Sequence, residues 1–143
     1  MNHGIITGVS GPVIDVEFSQ GPLPCINEAL TVQLDGRPLT MEVEQHLEGR
    51  VVRCVMMAGS EGLRRGMEVT AVGRGITVPV GRATLGRLFN VLGDAIDGEV
   101  PVPADTPRWE IHRKPPAFAD QRPTAEILET GIKVIDLIEP YPK

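Results

Sequence analysis

Apolar and polar residues alternate in short runs along the first half of the chain. Ile14, Val16 and Phe18 alternate with Asp15 and Glu17, which is the period-two pattern of a strand with one face in water. The pattern predicts an opening strand around residues 4–9 and further strands at 30–34, 39–43, 51–57 and 67–71. The chain is therefore predicted to form about six short strands before Gly75.

Turn residues separate these runs, and no helical pattern interrupts them. The turn at 35–38, Asp-Gly-Arg-Pro, joins two runs with matched apolar faces and predicts a hairpin. Short antiparallel strands leave exposed edges unless the sheet closes on itself. We therefore predict a mainly β fold in which residues 1–74 form a small closed antiparallel β-barrel.

The pattern changes after Gly75. Nine of the thirteen prolines lie in this second half, and its apolar residues are too few for a core of their own. A helix is predicted over residues 82–92, ended by Gly93 in the left-handed conformation, and a short edge strand over 109–113. Residues 118–123 are predicted to be a loop. A last helix is predicted after Thr130, whose hydroxyl is expected to cap it, with Ile132, Ile135 and Ile138 on its apolar face.

Composition and charge exclude several functions. A net charge of −5 argues against a duplex nucleic-acid binder, and 3% aromatic residues argue against a stacking platform for single strands. No apolar run is long enough to cross a bilayer, and the N-terminus lacks the pattern of a targeting peptide. Cys25 and Cys54 match no metal spacing and are expected to be buried reduced thiols.

Several motifs resemble known sites without meeting their requirements. Residues 81–88 resemble a phosphate-binding loop, but Arg87 and Leu88 stand where the chemistry needs lysine and then serine or threonine. Asp94 and Asp97 suggest a carboxylate pair for acid–base catalysis, but the dipeptide Asp97-Gly98 is typical of a turn, which is the preferred interpretation. We predict no catalytic, cofactor-binding or metal-binding residue in this chain.

Charged residues on the predicted barrel are candidates for a subunit interface. Arg64 and Arg65 lie in the loop at 59–66, where two arginines could bind an anion such as phosphate. A solvated turn, or a contact with a neighbouring subunit, is the preferred prediction for this loop. Glu42 and Glu44 lie on one face of a strand. These four residues form the candidate interface, with a simple solvated face as the alternative.

The order of motifs resembles the catalytic β subunit of the F-type, proton-translocating ATP synthase. The resemblance includes SGPVIDVEF at 10–18, MEVEQHL at 41–47, GLRRGMEV at 62–69, VPVGRATLGRLFNVLGDAID at 78–97, IHRKPPAF at 111–118 and EILETGIKVID at 126–136. The QHL and ETGIKVID versions resemble the catalytic subunit more than its α, flagellar or vacuolar-type relatives.

The resemblance implies a piece of a larger enzyme. Residues 75–143 would be the incomplete leading edge of an α/β nucleotide-binding domain that ends before the phosphate loop. The full-length subunit would bind Mg-ATP or Mg-ADP through residues after Lys143, so this chain alone is expected to be inactive. Its barrel would pack beside those of α subunits in an alternating hexameric ring.

The resemblance also implies further partners and a location. The full-length protein would contact central-stalk subunits on the cytoplasmic side of the cell membrane, in a peripheral complex with no direct membrane insertion and no nucleic acid. Two alternatives remain open at this stage: a stand-alone barrel that binds a protein partner without catalysis, and an oligonucleotide-binding barrel. The Pro-rich second half disfavours the former, and the acidity disfavours the latter.

Overall fold

The computed structural model describes residues 2–98, 100–120 and 126–142. The chain divides into two compact units, residues 1–113 and 114–143. The predicted division after residue 74 stays a prediction, because the first unit holds both the barrel and the segment that follows it.

Six antiparallel strands close into a barrel, as the sequence pattern predicts. Their order around the barrel is β1-β2-β5-β4-β3-β6, and pairing of β1 with β6 closes it. The strands are β1 (His3–Ser10), β2 (Val13–Glu17), β3 (Glu28–Leu34), β4 (Arg37–His46), β5 (Val51–Met56) and β6 (Glu68–Gly75).

The apolar residues of the alternating runs fill the barrel. Ile14, Val16 and Phe18 are completely buried, and so are Met41 and Val43 on β4. The side chains of successive strand residues point to opposite faces, so the residues between them lie on the outer face. The period-two pattern thus assigned the inner and outer faces of these strands correctly.

The β3–β4 hairpin has the tight turn that its sequence predicts. Asp35 and Gly36 both have positive φ, 50° and 77°, and Leu34 pairs directly with Arg37. Two central residues of positive φ match the twist of the flanking strands, and Asp-Gly is a preferred pair for them.

A two-stranded ribbon follows the barrel. Strand β7 (Thr77–Pro79) pairs with β8 (Arg108–Glu110), so the edge strand expected at 109–113 is present but shorter and one residue earlier. The sequence pattern did not predict β7. The peptide N–H of Val80 donates to Pro107 O at 2.9 Å, and that of Ile111 donates to Ile76 O at 3.0 Å.

The predicted helix over residues 82–92 is wrong. The segment holds one short 3-10 turn, Arg82–Thr84, and then a loop in which Phe89 bridges to Ala95. Gly86 and Gly93 have φ of 73° and 77°, so Gly93 is left-handed as predicted but lies in a turn, where its N–H donates to Asn90 O. Leu85 and Leu88, which were expected on the apolar face of the helix, remain exposed.

The second unit contains little regular structure. It holds a 3-10 turn, Phe118–Asp120, and one helix, α1 (Lys133–Ile138), while the rest of the loop expected at 118–123 lies outside the described residues. Ile132 and Ile138 are exposed. None of the described helices is long and apolar enough to cross a membrane.

Thr130 does not cap helix α1 as predicted. The residue that precedes the helix is Ile132, with no capping side chain. The Thr130 hydroxyl instead donates to Asp136 Oδ1 at 2.6 Å and accepts from the Ile132 N–H at 3.1 Å. The hydrogen bonds from Thr130 and from the Gly131 N–H lower the pKa of Asp136.

Candidate interface on the barrel

Glu42 lies on the outer face of the barrel, yet it is buried. Its neighbours Met41 and Val43 point into the core, and in register it faces Ala29 of β3 and Val55 of β5. Only 5% of Glu42 is exposed, and Ala29 beside it is also buried. Something other than the barrel must therefore cover this part of the outer face.

His112 is the polar partner of Glu42. Its Nε2 lies 3.0 Å from both carboxylate oxygens, although the two residues are 70 positions apart in sequence. A buried carboxylate is costly unless it accepts hydrogen bonds or pairs with a cation, and His112 supplies this contact. The sequence pattern carried no signal for it, since the three histidines are widely spaced.

Glu44, the second candidate, lies at an irregularity of β4. The register between β4 and β5 shifts between Val43 and Gln45, which leaves Glu44 exposed at a bulge. Bulges often re-aim a side chain, and here one separates the environments of Glu42 and Glu44.

Arg64 and Arg65 lie on the loop that joins β5 to β6. Leu63 is buried and anchors the loop, while both arginines are exposed. The Arg64 N–H donates to the Met67 sulfur at 3.3 Å. Within the described part of the chain, no hydrogen bond or ion pair joins any two of Glu42, Glu44, Arg64 and Arg65, so the structure does not bring the four together as one cluster.

An ion pair near Arg65 was not predicted from the sequence. Arg53 of β5 donates from Nε and Nη2 to the two carboxylate oxygens of Asp15 on β2, at 2.8 and 3.0 Å. The hydrogen bond from Arg53 holds the pKa of Asp15 below its usual value. The pair lines a surface groove together with Arg65 and the end of β1. Charge alternation on paired strands was the signal available for it, because Asp15 and Arg53 lie directly opposite.

The two cysteines have different environments. Cys54 is buried in the barrel as expected, and burial raises the pKa of its thiol to about 12, with smaller contributions from Asp15 and Glu44. Cys25 is also a free thiol, but it is exposed, so the expectation of burial was wrong for it. The reason is its position in the loop before β3, whose first inward-facing residue is Leu30.

The motifs that resembled active sites are tied into local structure. Arg87, at the lysine position of the false phosphate loop, donates from Nη2 to Asp97 Oδ1 at 2.9 Å. The Asp94 N–H donates to Asn90 Oδ1 at 2.9 Å, which closes the turn between them. Among the described residues, no group of histidine, cysteine, aspartate or glutamate side chains is arranged to hold a metal ion.

Comparison with known families finds a match for the barrel. Residues 6–73 match the family model of the ATP synthase alpha/beta family, beta-barrel domain. The match supports a barrel domain of this family. It begins in β1 and ends in β6, so it covers the closed barrel and stops before the ribbon.

Proposed function

We propose that this chain is the N-terminal portion of the catalytic β subunit of an F-type ATP synthase, and that its barrel packs beside the barrels of α subunits in the alternating ring. The observation that carries the proposal is the closed six-stranded barrel, which coincides with the family match at residues 6–73. The resemblance of QHL at 45–47 and of ETGIKVID at 129–136 favours the β subunit over its relatives.

The proposed activity belongs to the whole subunit. The full-length β subunit would make or hydrolyse ATP, coupled to hydrogen-ion transport, with Mg-ATP or Mg-ADP bound by the phosphate loop and by residues that follow it. Phosphoryl transfer needs groups that hold the γ-phosphate and magnesium together. We assign no such group in residues 1–143, and we expect this chain alone to be inactive.

The proposed location and partners follow from the same assignment. The complex would lie at the cytoplasmic side of the cell membrane as a peripheral assembly, with central-stalk subunits contacting the full-length protein. The interface proposal rests on Glu44, Arg64 and Arg65, because these three are exposed. Glu42 contacts His112 of its own chain, so its carboxylate is already engaged.

Binding to α subunits tests the proposal. The 143-residue chain would be mixed with purified α subunit, and complexes would be measured by native mass spectrometry and sedimentation velocity. We expect a mixed complex, and we expect Arg64→Glu with Arg65→Glu to weaken it, since charged residues at a contact set its specificity. Arg37→Glu, an exposed arginine at the β3–β4 turn, is the matched control.

Two results would contradict the proposal. A chain that is folded but forms no complex with α subunit would exclude the ring-forming role. Turnover of Mg-ATP by the purified 143-residue chain would exclude the assignment of the nucleotide site to the rest of the subunit.

A further inference from the structure

The ribbon covers one region of the outer barrel face. Ala29, Thr31 and Thr40 of strands β3 and β4 line a groove together with Ile76, Leu92 and Arg108 from the segment after the barrel. Ala29, Glu42 and Ile76 are each at most 5% exposed. Outer-face residues of a small barrel normally meet water, so their burial identifies a packed contact between barrel and ribbon.

The ribbon is itself well fixed by Arg108. The Arg108 Nη2 donates to Thr77 O at 2.7 Å and to Leu92 O at 3.0 Å, and its Nε donates to Thr77 Oγ1 at 3.2 Å. These bonds connect β8 to β7 and to the loop between them. The ribbon and this loop can therefore move as one body if they leave the barrel.

Two polar contacts join that body to the barrel, both at the end of the ribbon where Thr77 pairs with Glu110. The Gly75 N–H, at the end of β6, donates to Glu110 Oε1 at 3.3 Å, which is a long and exposed bond next to the chain connection. The His112 contact with Glu42 lies on β4, far from that connection in sequence, and ends on a carboxylate that is 6% exposed. A hydrogen bond to a charged group is stronger than one between two neutral groups.

We infer that Glu42 and His112 form a latch that holds the β7–β8 ribbon against the outer face of the barrel, so that breaking this one contact releases the ribbon while the barrel stays folded. The partners are placed for this role. His112 contacts both carboxylate oxygens of Glu42, and it lies two residues beyond β8, at the end of the ribbon next to its connection with the barrel. The latch joins residues of this chain only, and it applies whichever partner the barrel binds.

Hydrogen exchange can separate release of the ribbon from unfolding of the barrel. The amides of Val80 and Ile111 report on the ribbon, because both donate across the β7–β8 pair. The amides of Val16 and Val43 report on the barrel, where both residues are completely buried. Trp109, the only tryptophan, lies on β8 with Arg113 stacked 3.8 Å from its ring centroid, so its emission gives a second report on the ribbon.

We expect His112→Ala to speed exchange of the ribbon amides about tenfold or more, because local opening no longer breaks a charge-assisted bond. Exchange of the barrel amides should change less than about twofold. His112 lies outside the barrel and its side chain is 44% exposed, so this variant does not disturb the core. The Trp109 emission should shift together with the ribbon amides.

A double-mutant cycle and a matched histidine make the inference falsifiable. Glu42→Gln keeps the shape of the side chain, and Glu42→Gln with His112→Ala should match His112→Ala alone, since contacting partners are not additive. His3→Ala removes an exposed histidine that contacts Glu68 at 2.9 Å within the barrel, and it should leave the ribbon amides unchanged. Unchanged ribbon exchange in His112→Ala, equal acceleration of ribbon and barrel amides, or additive effects in the double variant would each overturn the latch.

Discussion

Arg87 and Asp97 pair across the loop that the sequence pattern predicted to be a helix. The guanidinium meets both carboxylate oxygens, and the two side chains are only 16% and 17% exposed. The carboxylate also accepts the Leu88 N–H at 3.2 Å. This pair joins residue 87 to residue 97 across the loop.

Removing the guanidinium should loosen this loop. We expect Arg87→Ala to cost about 1–3 kcal/mol locally, because Asp97 loses two charge-assisted hydrogen bonds in partly buried surroundings. The Ile96 N–H, which donates to Leu88 O at 2.9 Å, should then exchange markedly faster. Arg82→Ala, at an exposed position of the same loop, is the control and should leave it unchanged. Slow Ile96 exchange in Arg87→Ala would show that the pair does not close the loop.

The Asp15–Arg53 pair predicts a loss of stability in acid. The pKa of Asp15 is lowered from 3.8 in the folded barrel, chiefly by the Arg53 hydrogen bond, so the folded state holds the proton less readily than the unfolded state does. A lowered carboxyl pKa stabilises the protein above the unfolded value, and the gain disappears as the pH falls through the folded value.

A carboxamide variant tests this pH dependence. We expect Asp15→Asn to have a lower urea midpoint than the parent at pH 7, with the difference shrinking as the pH falls below about 4. Asp105→Asn, in an exposed loop, is the matched change and should show no such dependence. A difference that stays constant from pH 7 to the acid limb would contradict the role assigned to the pair.

The two thiols should react at very different rates. Cys25 is exposed, whereas Cys54 is buried and its pKa is raised to about 12, so it stays protonated at pH 8. The thiolate is the reactive form. We expect a disulfide reagent to modify one thiol per folded chain quickly and the second only after denaturation. Cys25→Ser should abolish the fast phase, and a fast phase that survives in this variant would place the reactive thiol elsewhere.

Gly4 is required by a close approach inside the barrel. A Cβ built on Gly4 would lie 2.7 Å from Val16 Cγ1 and 2.9 Å from the Phe18 ring, both in the core. We expect Gly4→Ala to destabilise the barrel by about 1–3 kcal/mol, because overpacking moves side chains from their preferred rotamers. Thermal unfolding would measure this loss of stability. Gly59→Ala, whose Cβ meets only the flexible carboxylate of Glu61, is the control, and equal losses in both variants would exclude a steric cause.

The barrel could be predicted from the sequence because its information is local. The alternation at Ile14, Val16 and Phe18 assigns an inward face strand by strand, and Asp35-Gly36 determines a tight hairpin. Closure removes the exposed edges that six short antiparallel strands would otherwise leave. The motif order similarly indicated a family for the barrel that the match at residues 6–73 supports.

The structure of the segment after the barrel could not be predicted in this way, because it depends on contacts between residues that are farther apart in the chain. The apolar spacing of Leu85, Leu88 and Leu92 fits a helix, but a helix of that length needs a surface to bury its face. In the folded chain the glycines turn the backbone instead, and the Arg87–Asp97 pair and the partner strand β8 decide the local structure.

The sequence by itself determined the six barrel strands, their inward faces and the β3–β4 turn, because each depends on residues close together in the chain. Only the tertiary structure decided that Glu42, on an outward-facing strand position, is buried and meets His112. That contact arises where two segments 70 residues apart pack together, and neither residue type nor periodicity encodes which distant side chain will cover an outer face.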